Sequence, residues 1–99
     1  MNPYRLTPAA EDDLFEIWRF IASDNPAAAD QLEADIFAAC QKIADCPGLG
    51  HFRKDLTKRP VRFLAVRAHY LVVYDPGIEP LAIIRVLHGA QDVSAELRD

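Results

Sequence analysis

The chain has no apolar run long enough to span a membrane. About 20 residues are required, and every long candidate is interrupted by Arg or Asp. The opening Met1-Asn2-Pro3-Tyr4 lacks a basic region followed by an apolar stretch, so no secretory signal is legible and a cytoplasmic location is expected. Thiols are scarce: Cys40 and Cys46 are the only two. Six residues apart on a helix, they stand about 9 Å apart along the axis, too far for a disulfide. There is no CxxC, and no His lies at ligand spacing from either cysteine, so no metal and no cofactor is expected. His51 and His69 show no ligand spacing either. Gly-rich phosphate loops, Gly-x-Ser-x-Gly elbows, internal repeats and low-complexity tracts are all missing. What remains is a 99-residue chain, 51% hydrophobic and 26% charged, enough for one domain (1–99) without staples.

The net charge of −4 conceals a division. Residues 1–46 hold nine acids and three bases, net −6, and residues 47–99 hold six acids and eight bases, net +2. Six of the 11 cations fall in one stretch: Arg53, Lys54, Lys58, Arg59, Arg62 and Arg67. Such a basic stripe either meets a phosphate or an acidic peptide, or is a solvated surface.

Local signals divide the chain cleanly. Tyr4-Arg5-Leu6 is β-like. Thr7-Pro8 then supplies an N-cap and a first helical position, with Glu11, Asp12 and Asp13 near the positive helix end. Leu14, Ile17, Trp18 and Ile21 recur at helical spacing, which makes Trp18 a core residue. Asn25-Pro26 starts a second helix to about Asp45, with Ala29, Leu32, Ile36, Ala39 and Ile43 on one stripe, and Pro47-Gly48-Leu49-Gly50 ends it. The short connection predicts an antiparallel helical hairpin. Beyond the polar loop the period becomes two. Val61 to Val66 and His69 to Tyr74 read as a hairpin around Arg67-Ala68, although neither residue readily supplies positive φ. Asp75-Pro76-Gly77 turns the chain into a third strand, Leu81 to Leu87, closed by Gly89. The predicted fold is α+β in the order β-α-α-β-β-β. A helical hairpin covers one face of a four-stranded antiparallel sheet and leaves the other face partly open.

The closing stretch "RVLHGAQD" carries the candidate chemistry. Arg85 is a cation in an apolar strand, costly unless paired or exposed. A bridge to Asp75 or Glu79 accounts for it as well as a functional role does. Histidine is the side chain whose ordinary chemistry suits proton transfer near neutrality, and His88 stands where the strand ends, placed for that or for stabilising a turn. Alternation puts Arg85 on the face of Ile83 and Leu87, and His88 on the face of Ile84 and Val86, so the two converge only if the strand bulges.

In this order and spacing the chain resembles the RelE/ParE superfamily of toxins from bacterial type II toxin–antitoxin modules. The resemblance rests on "YRLTPAAEDDLFEIWRFI", "NPAAADQLEADI" with "CPGLG", "VRFLAVRAHYLVVYDP" and "IIRVLHGAQD", which together cover nearly the whole chain. The closing strand is more similar to the ParE branch, with Gln91 where an Arg is common. Resemblance to ParE implies a non-enzymatic poison of DNA gyrase, neutralised by an antitoxin in a hetero-oligomer. On that reading Arg53, Arg59, Arg62, Arg67 and Arg85 bind antitoxin or target, and no sequence-specific nucleic-acid binding is expected. The open sheet face and the basic loop would meet an acidic, amphipathic antitoxin segment, by strand addition or as a helix in a groove. The alternative is a RelE-like ribosome-dependent mRNA endonuclease, for which Arg67, Arg85 and His88 are the available set. Against it stand the pI of 5.2, the lack of aromatics after Tyr74, and a tail, Glu96-Leu97-Arg98-Asp99, that is not richly basic. An inactive module that keeps the toxin fold is a third reading.

Overall fold

A computed structural model describes residues 1–98; Asp99 of the tail lies outside the described residues. The elements run β1 (Tyr4–Leu6), α1 (Pro8–Ala22), α2 (Pro26–Asp45), β2 (His51–Phe52), β3 (Arg62–Val66), β4 (Tyr70–Asp75), β5 (Leu81–His88) and α3 (Val93–Glu96). Both long helices start at the expected caps. Thr7 Oγ1 accepts from the Ala10 N–H and Asn25 Oδ1 from the Ala28 N–H, each with Pro at the first helical position. Ala10 and Leu14 of α1 are buried, Ile17 and Ile21 pack against them, and Leu32, Ile36, Cys40 and Ile43 form the buried stripe of α2. Trp18 departs from the expected packing. It is half-buried, and its indole N–H donates to Asp30 Oδ1 at 2.8 Å, so it ties α1 to α2 outside the core. An indole gains by keeping its N–H near a polar partner.

The sheet order is β1-β5-β4-β3-β2. Two details correct the expected four-stranded antiparallel sheet. His51–Phe52 adds a short edge strand to β3, and β1 joins β5 in parallel, Tyr4 opposite Leu81 and Leu6 opposite Ile83. The chain leaves β1 into the helical hairpin and returns beside it only with β5, and a long crossover of this kind accompanies parallel pairing. The β3–β4 turn places both Arg67 (φ 54°) and Ala68 (φ 60°) in the left-handed region. Positive φ at both positions gives the turn a twist that matches the right-handed twist of the flanking strands, at a cost of about 1–2 kcal/mol for each non-glycine residue.

Both faces of the sheet are covered, unlike the partly open second face expected from sequence. On the helix side Ile36, Ile43, Val72, Tyr74, Ile83 and Val86 form the larger core. Tyr74 is fully buried and polar-satisfied: its hydroxyl donates to the Pro47 carbonyl and accepts from the Gly50 N–H, each at 2.7 Å. Gly50 has no room for more, since a Cβ there would lie 2.8 Å from the Phe63 carbonyl oxygen. On the far side Val61, Phe63, Val73 and Leu87 pack against Val93 and Leu97 of the C-terminal segment, with Leu56 of the basic loop alongside. α3 has only four residues, too few to show a helical period in sequence.

Candidate functional site

Arg85 owes its position to a bulge. Val73 pairs with Arg85 but Tyr74 pairs with Ile83, so Ile84 has no opposite number in β4. The extra residue resets the alternation: Ile83 and Val86 join the helix-side core, while Leu87 joins the far core with Ile84 beside it. β1 stops at the level of Ile83, and the edge of β5 beyond it is sealed by side chains. Thr7 Oγ1 donates to the Ile84 carbonyl at 2.7 Å, and Asp13 Oδ2 accepts from the Val86 N–H at 2.9 Å. The same Asp13 receives Arg85 bidentately, Nε to Oδ2 at 2.7 Å and Nη2 to Oδ1 at 2.8 Å. Arg85 also donates from Nη1 to the Glu96 carbonyl at 3.0 Å and pairs with the Glu96 carboxylate at 3.1 Å. Its side chain is 19% exposed and that of Asp13 14%. The Asp13 carboxylate, followed by Glu96, holds the guanidinium pKa above its ordinary value. Neither Asp75 nor Glu79 is its partner. Arg85 links α1, β5 and α3.

His88 lies elsewhere, opposite Tyr70 in the β4–β5 ladder. The two rings meet edge to face at 5.1 Å, and the His69 ring stacks parallel at 6.5 Å. His88 Nδ1 accepts from the Ala90 N–H at 3.0 Å, and the His88 N–H donates to Gln91 Oε1 at 2.6 Å, so the residue shapes the turn. With Glu16, Ile17, Phe20 and Ile21 of α1, the Tyr70, His88 and Gln91 side chains line a groove of about 440 Å³. Phe20 is 81% exposed at its rim. Sequence reasoning found no tyrosine for His88; cross-strand register supplies Tyr70. No lining residue of this groove is Lys or Arg, so the groove does not bring together Arg67, Arg85 and His88, the set available to the alternative nuclease reading.

The basic stripe divides into two surfaces. Arg67, at the hairpin tip, donates from Nε to Asp35 Oδ2 of α2 at 2.7 Å, and this pairing lowers the Asp35 pKa. It sits at one end of a groove of about 480 Å³ between α2 and β3, where Ala38, Ala39, Leu49 and Leu64 give an apolar floor and Lys42 a second cation. β2 pairs with β3 only at Arg62 and Phe63, so Leu64–Val66 has no strand on its outer side. Arg53, Arg59 and Arg62 lie towards the other end of β3. Arg53 pairs with Asp55, Arg59 donates to the Leu97 carbonyl at 3.3 Å, and Arg62 donates to the Gly50 carbonyl at 2.7 Å with its guanidinium 4.2 Å above the Phe52 ring. Among the described residues no group of three His, Cys, Asp or Glu could hold a metal ion, and no helix is long and apolar enough to cross a membrane.

The family described as the ParE toxin of the type II toxin–antitoxin system, parDE, matches residues 4–93. Toxin ParE1 of Caulobacter vibrioides is 34% identical over 99 residues, covering 98% of this chain and 99% of the relative. The chain belongs to the ParE toxin family. It is the toxin component of a type II toxin–antitoxin module. A structure described as the chromosomal ParDE system from P. aeruginosa shares the fold, with a TM-score of 0.70 at 20% identity over 89% of this chain and 96% of that one. In this ParE toxin the Arg85 guanidinium is clamped by Asp13 and Glu96, and the groove beside His88 has no Lys or Arg in its lining.

Proposed function

We propose that this toxin arrests growth by docking on DNA gyrase in the cytoplasm, and that an antitoxin neutralises it by occupying the groove between α2 and β3. One observation carries the first part: the Arg85 guanidinium is committed to Asp13 and Glu96, which removes the one strand cation that could assist His88. Inhibition then acts through surface shape, with the exposed Phe20 groove as the leading contact. The free side of Leu64–Val66 supports the second part. An extended antitoxin segment can add there as a strand, its apolar side chains over Ala38 and Leu64 and its acids near Lys42 and Arg67. The complex would be a toxin–antitoxin hetero-oligomer.

Two assays on the purified protein test the target. Inhibition of gyrase supercoiling without message cleavage on translating ribosomes, retained in His88→Gln, is the expected result. A-site cleavage that His88→Ala reduces by about 10²-fold or more, the scale of lost acid–base catalysis, would overturn it. Inactivity in both assays would leave a bare interaction module. For the antitoxin, Ala65→Pro on the free edge is expected to weaken the complex more than charge reversal at Arg59 and Arg62; the opposite ranking would move the interface to the basic loop.

A further inference from the structure

The second half of the divided stripe is a cleft in its own right. Phe52, Arg53, Lys54, Lys58, Arg59 and Pro60 line a concavity of about 630 Å³. Over residues 51–62 five cations face one acid, Asp55, against a net −6 over residues 1–46. The loop is ordered: the Leu56 and Thr57 N–H groups both donate to the Arg53 carbonyl at 2.9 and 3.1 Å. The Arg59 N–H donates to Thr57 Oγ1 at 3.1 Å, and Leu56 packs into the far-side core. Among the described residues neither Lys54 nor Lys58 has a carboxylate partner. Four cations are thus held around one concave site, and two of them have no counter-charge.

We infer that this cleft binds the phosphate backbone of DNA without regard to sequence. Charge is what the cleft chiefly offers. β2 is two residues long, too short an edge for a peptide to add as a strand, so an acidic peptide would lack the backbone pairing available beside Leu64–Val66. A polyanion with regularly spaced charges needs no such pairing, because cation–phosphate contacts act mainly by releasing counterions. The half-exposed Phe52 and Pro60 supply apolar contact for sugar or base. The acidic remainder of the molecule, centred on the helical hairpin, is repelled by the same backbone and would orient the toxin with β2 and the basic loop towards the duplex. This inference does not depend on which enzyme the toxin poisons.

Fluorescence anisotropy of a labelled duplex of about 20 base pairs with the intact free toxin tests it. Two to four neutralised phosphates imply a loss of affinity of roughly ten- to a hundredfold between about 50 and 200 mM salt. Lys54→Glu with Lys58→Glu should weaken binding at least tenfold, with an unchanged thermal melt. Lys54→Gln with Lys58→Gln should do the same in smaller measure and serves if the reversal does not fold. Arg5→Glu, on β1 at the opposite edge of the sheet, matches the Gln double variant in total charge and should change affinity less than about twofold. No binding at the lower salt, or equal loss in Arg5→Glu and the double variant, would overturn the inference. So would displacement of the duplex by a poly-glutamate peptide of much lower total charge, which would assign the cleft to an acidic protein segment. Gyrase is absent from the measurement, so a negative result here leaves the gyrase reading standing.

Discussion

The two faces of the sheet are covered by very different means. The helix side carries 35 residues of helix, 15 in α1 and 20 in α2, joined by a short turn and packed through a continuous apolar stripe. The far side is closed by a loop leucine and a four-residue helix. The first cover is held by area and the second by a few directed bonds, chiefly those from Arg85 to Glu96. Burial of aliphatic side chains is strong and tolerant of small shifts, whereas a charge-assisted fork is specific in geometry and fails when one partner is removed. The toxin therefore joins a robust layer to a conditional one.

Truncating each core in turn should separate the two layers. Ile36→Ala, on the fully buried stripe of α2, is expected to cost roughly 2–5 kcal/mol, a large share of a small domain's total. Leu97→Ala should fall at or below the lower end of that range, because the short segment can settle inwards. Urea melts of both variants check this, and equal losses would mean that the C-terminal cover is as integral as the helices. Between these two in size falls Asp13→Ala. It leaves Arg85 partly buried with only Glu96, and leaves the Val86 N–H without its acceptor, a loss of about 3 kcal/mol. Hydrogen exchange should then show faster opening in 93–98 than in α2. Uniform acceleration across the fold would show that Asp13 supports the whole domain and not its far side alone.

The smallest effect is on pH. Cys40 is fully buried on the helix side, and burial pushes its thiol from the ordinary 9.0 up to about 12. A folded-state pKa above the unfolded one favours folding while the thiol stays protonated. That contribution is whole below about pH 9 and is lost as the pH rises towards 12. The Tyr74 hydroxyl, also raised by burial, acts in the same direction. Stability should fall between about pH 9 and pH 12, and fall less in Cys40→Ala. An identical decline in that variant would locate the alkaline loss in other groups.

Much of this architecture is legible in sequence because local chemistry and tertiary need agree. Thr7-Pro8 and Asn25-Pro26 start helices wherever they stand, and the apolar period along Leu32, Ile36 and Ile43 leaves one way to bury them. The illegible parts are those set by partners far away in the chain. The bulge at Ile84 lies in an apolar run without glycine, so alternation across it assigns Ile83 and Leu87 to one face when they occupy two. The partner of Arg85 is Asp13, 72 residues earlier, and no spacing within the strand points to it. Arg67-Ala68 takes left-handed backbone without the residues that signal it, and α3 and β2 are shorter than the periods that reveal helices and strands. Of the candidate site, the cations were identifiable by type. Their division between a groove and a cleft depends on where each guanidinium finds its acceptor.

The parallel pairing of β1 with β5 has a consequence for when the toxin comes into being. Tyr4 leaves the ribosome well ahead of its partner Leu81, and at about 5–20 residues per second that interval is several seconds. Until then the nascent chain has a helical hairpin with one flank bare, no strand beside β1, and an Asp13 without Arg85. A message cut short or a ribosome stalled before β5 yields a fragment that cannot close its sheet. The five-stranded sheet is complete only once β5 has been made, so the last strand written is the one that joins the first to the rest.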